Sequence, residues 1–387
     1  MLDDIISSGR KAVATPRAET LRAAPTRYYR PELDALRFLA FLLVYLHHII
    51  PNRPEGHANT WARNFPEVGA AIANAFGFGL PLFFFLSAYL ITTLLLIEMR
   101  SGALDFKGFY IRRVLRIWPL YFVGIAIGLG FAAFRHDPDQ FTMMRMFSVF
   151  IGNFYFQTHG WSGNVMSPLW SISVEEQFYL VAPALIWLAG ARRAWLAGLA
   201  IAALALIAVY VQGEMHREVA REIWTNTLSQ MLFFGAGITM AALTMNGPPK
   251  IPVRWRFGFA AMAAALFFAA AYWGDANRYA EARSGALVAI GYFGVAAGCV
   301  LLLLALLDAP VKPPSWLIYL GKISYGLYVF HYAAIWVTYR VPGMPRDLAP
   351  WLALAPTIAL AALSYQVLEK PFLRLRERFT HVRNRAI

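Results

Sequence analysis

An arginine and a histidine share one apolar stretch, Leu33 to Pro51, as Arg37 and His48. On a helix of 3.6 residues per turn they fall almost on one line, about three turns and roughly 16 Å apart. Asp34, Phe41 and Tyr45 lie near the same stripe, whereas His47 points elsewhere. Ionisable groups in a membrane span are expensive and face the protein interior or a water-filled cavity, so by default they mark a site. In the competing reading Asp34 and Arg37 are interfacial anchors and the histidines snorkel at the far end.

A second group sits in Ser167 to Tyr179, where Glu175 and Glu176 are adjacent. Both fall about two turns below the outer end of that span. A carboxylate that orients His48 would poise the imidazole as a general base toward a hydroxyl. A purely structural Glu–His pair is the alternative. Adjacent side chains point about 100° apart on a helix, so at most one carboxylate faces the first span.

The third group is basic. Arg112, Arg113 and Arg116 lie in Phe109 to Pro119. Arg113 and Arg116 share one helical face beside the membrane, and two guanidinium forks there suit a phosphate-bearing ligand. Lipid head groups suit them equally. Ser324, Tyr328 and His331 share a face farther on, where a lone histidine is more often a satisfied core residue. Tyr365 and Glu369 close the last span, with Pro371 expected to stop the helix. There is no phosphate-binding Walker loop, no dinucleotide glycine loop and no zinc spacing, so no metal is expected. Ser87 lacks the Gly-x-Ser-x-Gly elbow of serine hydrolases.

The elements that must hold these groups are membrane helices. Of 387 residues, 59% are hydrophobic and 15% charged, with mean hydropathy +0.49. Soluble domains carry about 25% charge, so an all-α polytopic membrane protein is implied. The net charge of +13 sits largely at the ends of apolar runs and in the termini, which points to membrane lipids and not to nucleic acid. The single Cys299 lies inside an apolar run, excluding a disulfide framework. Apolar runs fall near 33–51, 74–97, 118–134, 168–189, 195–211, 227–245, 257–273, 285–307, 323–339 and 350–368, with a weaker candidate at 141–156. The basic segments 10–30, 100–116, 190–193, 250–256 and 374–385 all fall on the cytoplasmic side only if 141–156 does not span. About ten transmembrane helices, both termini cytoplasmic and an external excursion at 135–167 follow. Residues 1–30 read as a cytoplasmic tail without a cleavable signal, 31–371 as the transmembrane domain and 372–387 as a basic cytoplasmic tail.

These stretches together resemble the acyltransferase-3 family of bacterial integral-membrane O-acyltransferases. The resemblance is carried by Glu32-Leu-Asp-Ala-Leu-Arg37 with His48, Phe83 to Ile91, Phe109 to Tyr121, Leu169 to Tyr179, Gly321 to His331 and Glu369-Lys-Pro371, in the family's order. Ala88 departs from the pattern, standing where glycine is frequent, and His331 lacks the proline that often follows nearby. The resemblance implies an inner-membrane enzyme that takes an acyl group, foremost acetyl, from cytoplasmic acyl-CoA. The acceptor is a hydroxyl of a surface or exported glycan, such as an exopolysaccharide or lipopolysaccharide, or its lipid-linked precursor. Polysaccharide assembly machinery is a possible partner, and no extra domain is expected. By that resemblance Arg37 and His48 are the essential pair, Arg113 and Arg116 with Arg112 bind the donor, and Glu175 is the more constant glutamate. Asp34, Glu176, Ser324, Tyr328 and His331 support them. From a different class, a proton-coupled transporter of a lipid-linked glycan or organic anion would use the same histidines and glutamates as a relay.

Overall fold

The computed structural model describes residues 28–57, 60–102, 104–215, 220–276 and 283–380. Most of the two expected tails, 1–27 and 381–387, lies outside the described residues. In chain order the helices are α1 Pro31–Ile49, α2 Pro66–Phe76, α3 Gly79–Arg100, α4 Phe106–Arg135, α5 Pro138–Ser148, α6 Gly152–His159, α7 Trp170–Met215 and α8 Ala220–Thr225. They continue with α9 Thr227–Leu243, α10 Val253–Tyr272, α11 Gly285–Leu306, α12 Ser315–Lys322, α13 Ser324–Thr338, α14 Ala349–Leu352, α15 Leu354–Ser364 and α16 Lys370–Arg376. No strand occurs among the described residues.

Among the described residues, six segments are long and apolar enough to cross a membrane: 66–100, 106–135, 167–215, 253–272, 285–306 and 349–379. The sequence led us to expect about ten. A helix lies at each of the ten apolar runs, but α1 carries Glu32, Asp34 and Arg37, and α9 and α13 are only 17 and 15 residues long. The 167–215 segment holds two of the runs. Gly190 breaks it, with φ +70° and ψ 158°, a conformation open to a residue without Cβ. Phe178, before the break, stacks on Phe234 of α9 at 4.2 Å. Gly235, the next residue of α9, packs against the backbone of Ala202, beyond the break. In a straight helix residues 178 and 202 would stand about 36 Å apart. The α7 chain therefore folds back at Gly190, and both arms clasp α9.

The 141–156 segment is not one long helix. It is divided between α5 and α6, and Phe150 between them has φ +58°. Buried amides hold it to the bundle. Asn164 donates to the Gly128 carbonyl at 3.0 Å and to Gln140 at 2.8 Å, Asn153 to the Thr225 carbonyl at 3.1 Å, and Gln177 to the Phe150 carbonyl at 2.7 Å. Irregular backbone at this level is tolerated because such bonds satisfy it.

Pro371 does not end the last helix, contrary to expectation. Tyr365–Glu369 form a π-helical turn, and Pro371 sits in the first turn of α16 beyond it. The wider turn breaks the regular hydrogen-bond ladder, so the missing N–H and the ring are accommodated. The helix thus runs through the expected boundary at 371 and brings Arg376 to the bundle with only 7% of its surface exposed. At the other end Glu32 accepts from the Asp308 amide at 3.1 Å and Arg30 bonds Asp308 at 3.2 Å, tying the start of α1 to the chain after α11.

Candidate active site

Five helices converge on a narrow inner chamber of about 80 Å³. Arg37 enters from α1, Arg113 and Arg116 from α4, Ser87 from α3, Ser171, Glu175 and Tyr179 from α7, and Ser324, Tyr325 and Tyr328 from α13. Arg37 lies 3.6 Å from Asp34, one helical turn earlier, and this ion pair fixes the guanidinium. Arg37 and Arg116 also line a small cavity beside Tyr28 and Tyr29, so the chamber leads toward the start of α1. Tyr179 donates to Glu175 and shares a hydrogen bond with Ser87. Arg113 lies over Phe109 and Tyr179, 5.5 and 5.6 Å from the ring centres. Its Nε is buried without a hydrogen-bond partner.

A second, outer chamber of about 520 Å³ contains His47, His48, Asn52, Arg53, Trp161, Ser162, Trp170, Trp224, Tyr328 and Tyr332 in its walls. His48 is exposed to this space. Behind it His331 is fully buried, its ring 5.1 Å from that of His48. Nδ1 of His331 bonds the Tyr328 carbonyl at 2.6 Å, and a carbonyl only accepts, so the proton is on Nδ1 and Nε2 carries a lone pair. That Nε2 is buried with no partner. Phe41 and Tyr45, on the Arg37–His48 stripe, pack on His331 at 6.2 and 6.4 Å. His47 is anchored structurally, its Nδ1 bonding the Ala73 carbonyl at 2.8 Å.

Leu80 and Tyr328 line both chambers and form the wall between them. The Tyr328 hydroxyl donates to the Pro168 carbonyl at 2.9 Å and meets Ser171 Oγ at 2.7 Å, which holds the ring in place.

The structure gathers Arg37, Arg113, Arg116, Glu175, Ser324 and Tyr328 around one cavity and His48 and His331 at the other. It does not join Glu175 to His48. Glu175 pairs with Tyr179 on the inner side of the wall, whereas the ring neighbours of His48 are His47, His331 and Tyr332. The reason is depth. Pro168 of the same segment lines the outer chamber, and seven residues of helix carry Glu175 about 10 Å farther in. Glu176 faces α4, where Trp118 Nε1 donates to it at 3.3 Å.

Arg112 is not at the cavity. It pairs with buried Glu98 at 2.7 Å and donates to the Phe379 carbonyl at 2.8 Å, fastening the chain after α16 to α4. Through that attachment Arg376 joins Arg113 and Arg116 as an electrostatic neighbour. No ion pair within 4 Å forms at any of these three among the described residues, and Nε of Arg376, like that of Arg113, is buried without a partner. Glu369, bonded by Ser364 at 3.4 Å, is the carboxylate near Arg116. Buried like charges with idle donors make a cradle for an anion. Sequence reasoning missed Ser87, Tyr179, Tyr325 and Arg376. Tyr179 is four residues after Glu175, a spacing that signals it; nothing local signals Arg376, which depends on the docking of α16.

The profile of the acyltransferase domain matches residues 30–365. The chain is 26% identical over 381 residues to a peptidoglycan O-acetyltransferase of Listeria monocytogenes, covering 89% of this chain and 56% of that protein. It is 28% identical over 371 residues to a putative peptidoglycan O-acetyltransferase of Bacillus subtilis, covering 89% and 55%. A putative O-acetyltransferase of Staphylococcus aureus is 25% identical over 389 residues, covering 89% and 57%. The chain thus spans little more than half the length of these curated relatives. No solved structure matches. With a matched region reaching from the start of α1 into the π-helical turn, this chain belongs to the acyltransferase-3 family.

Proposed function

We propose that the protein is an O-acetyltransferase of the bacterial inner membrane, with ten membrane helices and both termini cytoplasmic. It moves an acetyl group from cytoplasmic acetyl-CoA to a glycan hydroxyl on the outer side. The observation that carries this is the pair of chambers, one lined with arginines and one holding His48, that abut at Leu80 and Tyr328. A family of acyltransferases and relatives named for O-acetylation of a glycan support the same reading.

Arg113, Arg116 and Arg376 hold the donor's phosphates. The inner chamber is too narrow for a nucleotide and suits the donor's thin arm, which passes Arg37 and brings the thioester to the wall. Glu175, Tyr179 and Ser87 shape that passage. In the outer chamber the unpartnered Nε2 of His331 stands behind His48 and steadies the charge its ring gains, while His48 presents a ring nitrogen to the acceptor hydroxyl. His48 takes the hydroxyl proton as the oxygen attacks the thioester carbonyl. The C–O bond forms, the C–S bond breaks, and the thiolate takes up one proton, giving acetylated glycan and free CoA thiol.

The test is to incubate purified protein with acetyl-CoA and a glycan acceptor and to measure free CoA thiol and acetylated product. Both should appear together and both should vanish in His48→Ala. A transporter would release no thiol, and such a result would overturn the proposal.

A further inference from the structure

The outer chamber continues past His48. Asn52 and Arg53 line it and also line a second cavity of about 390 Å³, whose other walls include Glu55, Glu67, Asn74 and Tyr272. The two cavities form one groove along the end of α1 and the chain after it, one side of α2 and the end of α10. Either alone is the size of a small-molecule pocket, roughly 300–1,000 Å³, so the groove exceeds what one sugar requires. Asn74 is buried, with 6% of its surface exposed. Its Nδ2 donates to the Asn52 carbonyl at 3.1 Å, which fixes the amide's orientation, and its Oδ1 is buried with no partner. An idle buried acceptor beside a cavity is a standing cost that a ligand donor would remove.

We infer that the groove binds an extended chain of neutral sugars, several residues long, and not a single sugar. The inference rests on the O-acetyltransferase reading and narrows its acceptor. The reacting sugar lies against His48 among Trp161, Trp170 and Trp224, whose flat faces match the C–H faces of a pyranose. Its neighbours cross Asn52 and Arg53 into the second cavity. There Glu55 and Glu67, both exposed, and Asn74 Oδ1 are acceptors for hydroxyl and acetamido N–H groups. Two carboxylates against the one Arg53 leave this end net negative, which disfavours a chain of uronic acids there.

The experiment uses the purified full chain with acetyl-CoA and three acceptors: N-acetylglucosamine, its tetramer and a tetramer of galacturonic acid. The KM for the neutral tetramer should be about ten-fold below that for the monomer, as two or three added hydrogen bonds would give. The galacturonate tetramer should show no such gain. In Glu67→Gln and Asn74→Ala the advantage of the neutral tetramer should shrink to within about two-fold, whereas a structural defect would weaken both acceptors and leave their ratio intact. Equal KM values for monomer and tetramer, or an unchanged ratio in both variants, would refute the extended groove. If no acceptor is acetylated, the enzyme reading fails separately. The groove is then judged by tryptophan fluorescence: tetramer binding that exceeds monomer binding and weakens in Glu67→Gln upholds it, and equal binding refutes it.

Discussion

His48 to alanine should lower acetyl transfer by about 10²–10⁴-fold, the usual loss for a positioned base, with insertion unaffected. Activity within a few-fold of wild type would remove His48 from the chemistry. His331 acts one step back, as the buried ring 5.1 Å behind His48 with an unpartnered Nε2. His331→Ala should lower kcat with little effect on the KM for acetyl-CoA, and His331→Asn should restore part of it by offering an acceptor oxygen. A proportional fall in folded protein, with unchanged kcat in what remains, would make His331 structural only. Arg37 and His48 are legible in the sequence because a charge in an apolar run stands out against its surroundings. The pairing of Glu175 with His48 was misjudged because depth along two different helices cannot be compared without knowing where the chambers lie. Glu175 instead meets the residue one turn away on its own helix.

At the scale of the element, α4 supplies two arginines of the cationic cluster and α16 the third. Arg113→Ala, Arg116→Ala and Arg376→Ala should each raise the KM for acetyl-CoA far more than that for acceptor, losing roughly 1.5–3 kcal/mol of charge-assisted contact. Lysine should restore only part, since it lacks the two-pronged fork. Direct acetyl-CoA binding by the purified variants checks this; wild-type affinity in all three would leave the donor site elsewhere. The position of α16 was hidden because a proline seemed to end the helix, and only the π-helical turn before it shows otherwise. The ten apolar runs were legible because each is a sustained stretch of one chemistry. Loop charge alone led us to expect that 141–156 does not span; its division into α5 and α6, held by buried amides, was not legible.

For the whole molecule, the proposed topology makes the next prediction. Single cysteines in α5 or α6, in a Cys299→Ser background, should react with an impermeant thiol reagent added from outside, and cysteines near Arg192 or Arg374 should not. Labelling at 192 from outside would reverse the hairpin at Gly190 and overturn the ten-helix arrangement.

The wall of Leu80 and Tyr328 is one side chain deep, with a cavity on either face. If water or ligand fills each cavity, nearly all of the transmembrane voltage drops across that wall. The acceptor gives up its proton on the outer face and the thiolate forms on the inner face, so each turnover leaves one positive charge outside and one negative charge inside. A field that is negative inside opposes that separation by about 2.3 kcal/mol per 100 mV. Acetylation in sealed vesicles should therefore slow when the donor side is made negative and quicken when the potential is collapsed by an ionophore. A rate indifferent to voltage would mean that the proton crosses the wall to the thiolate.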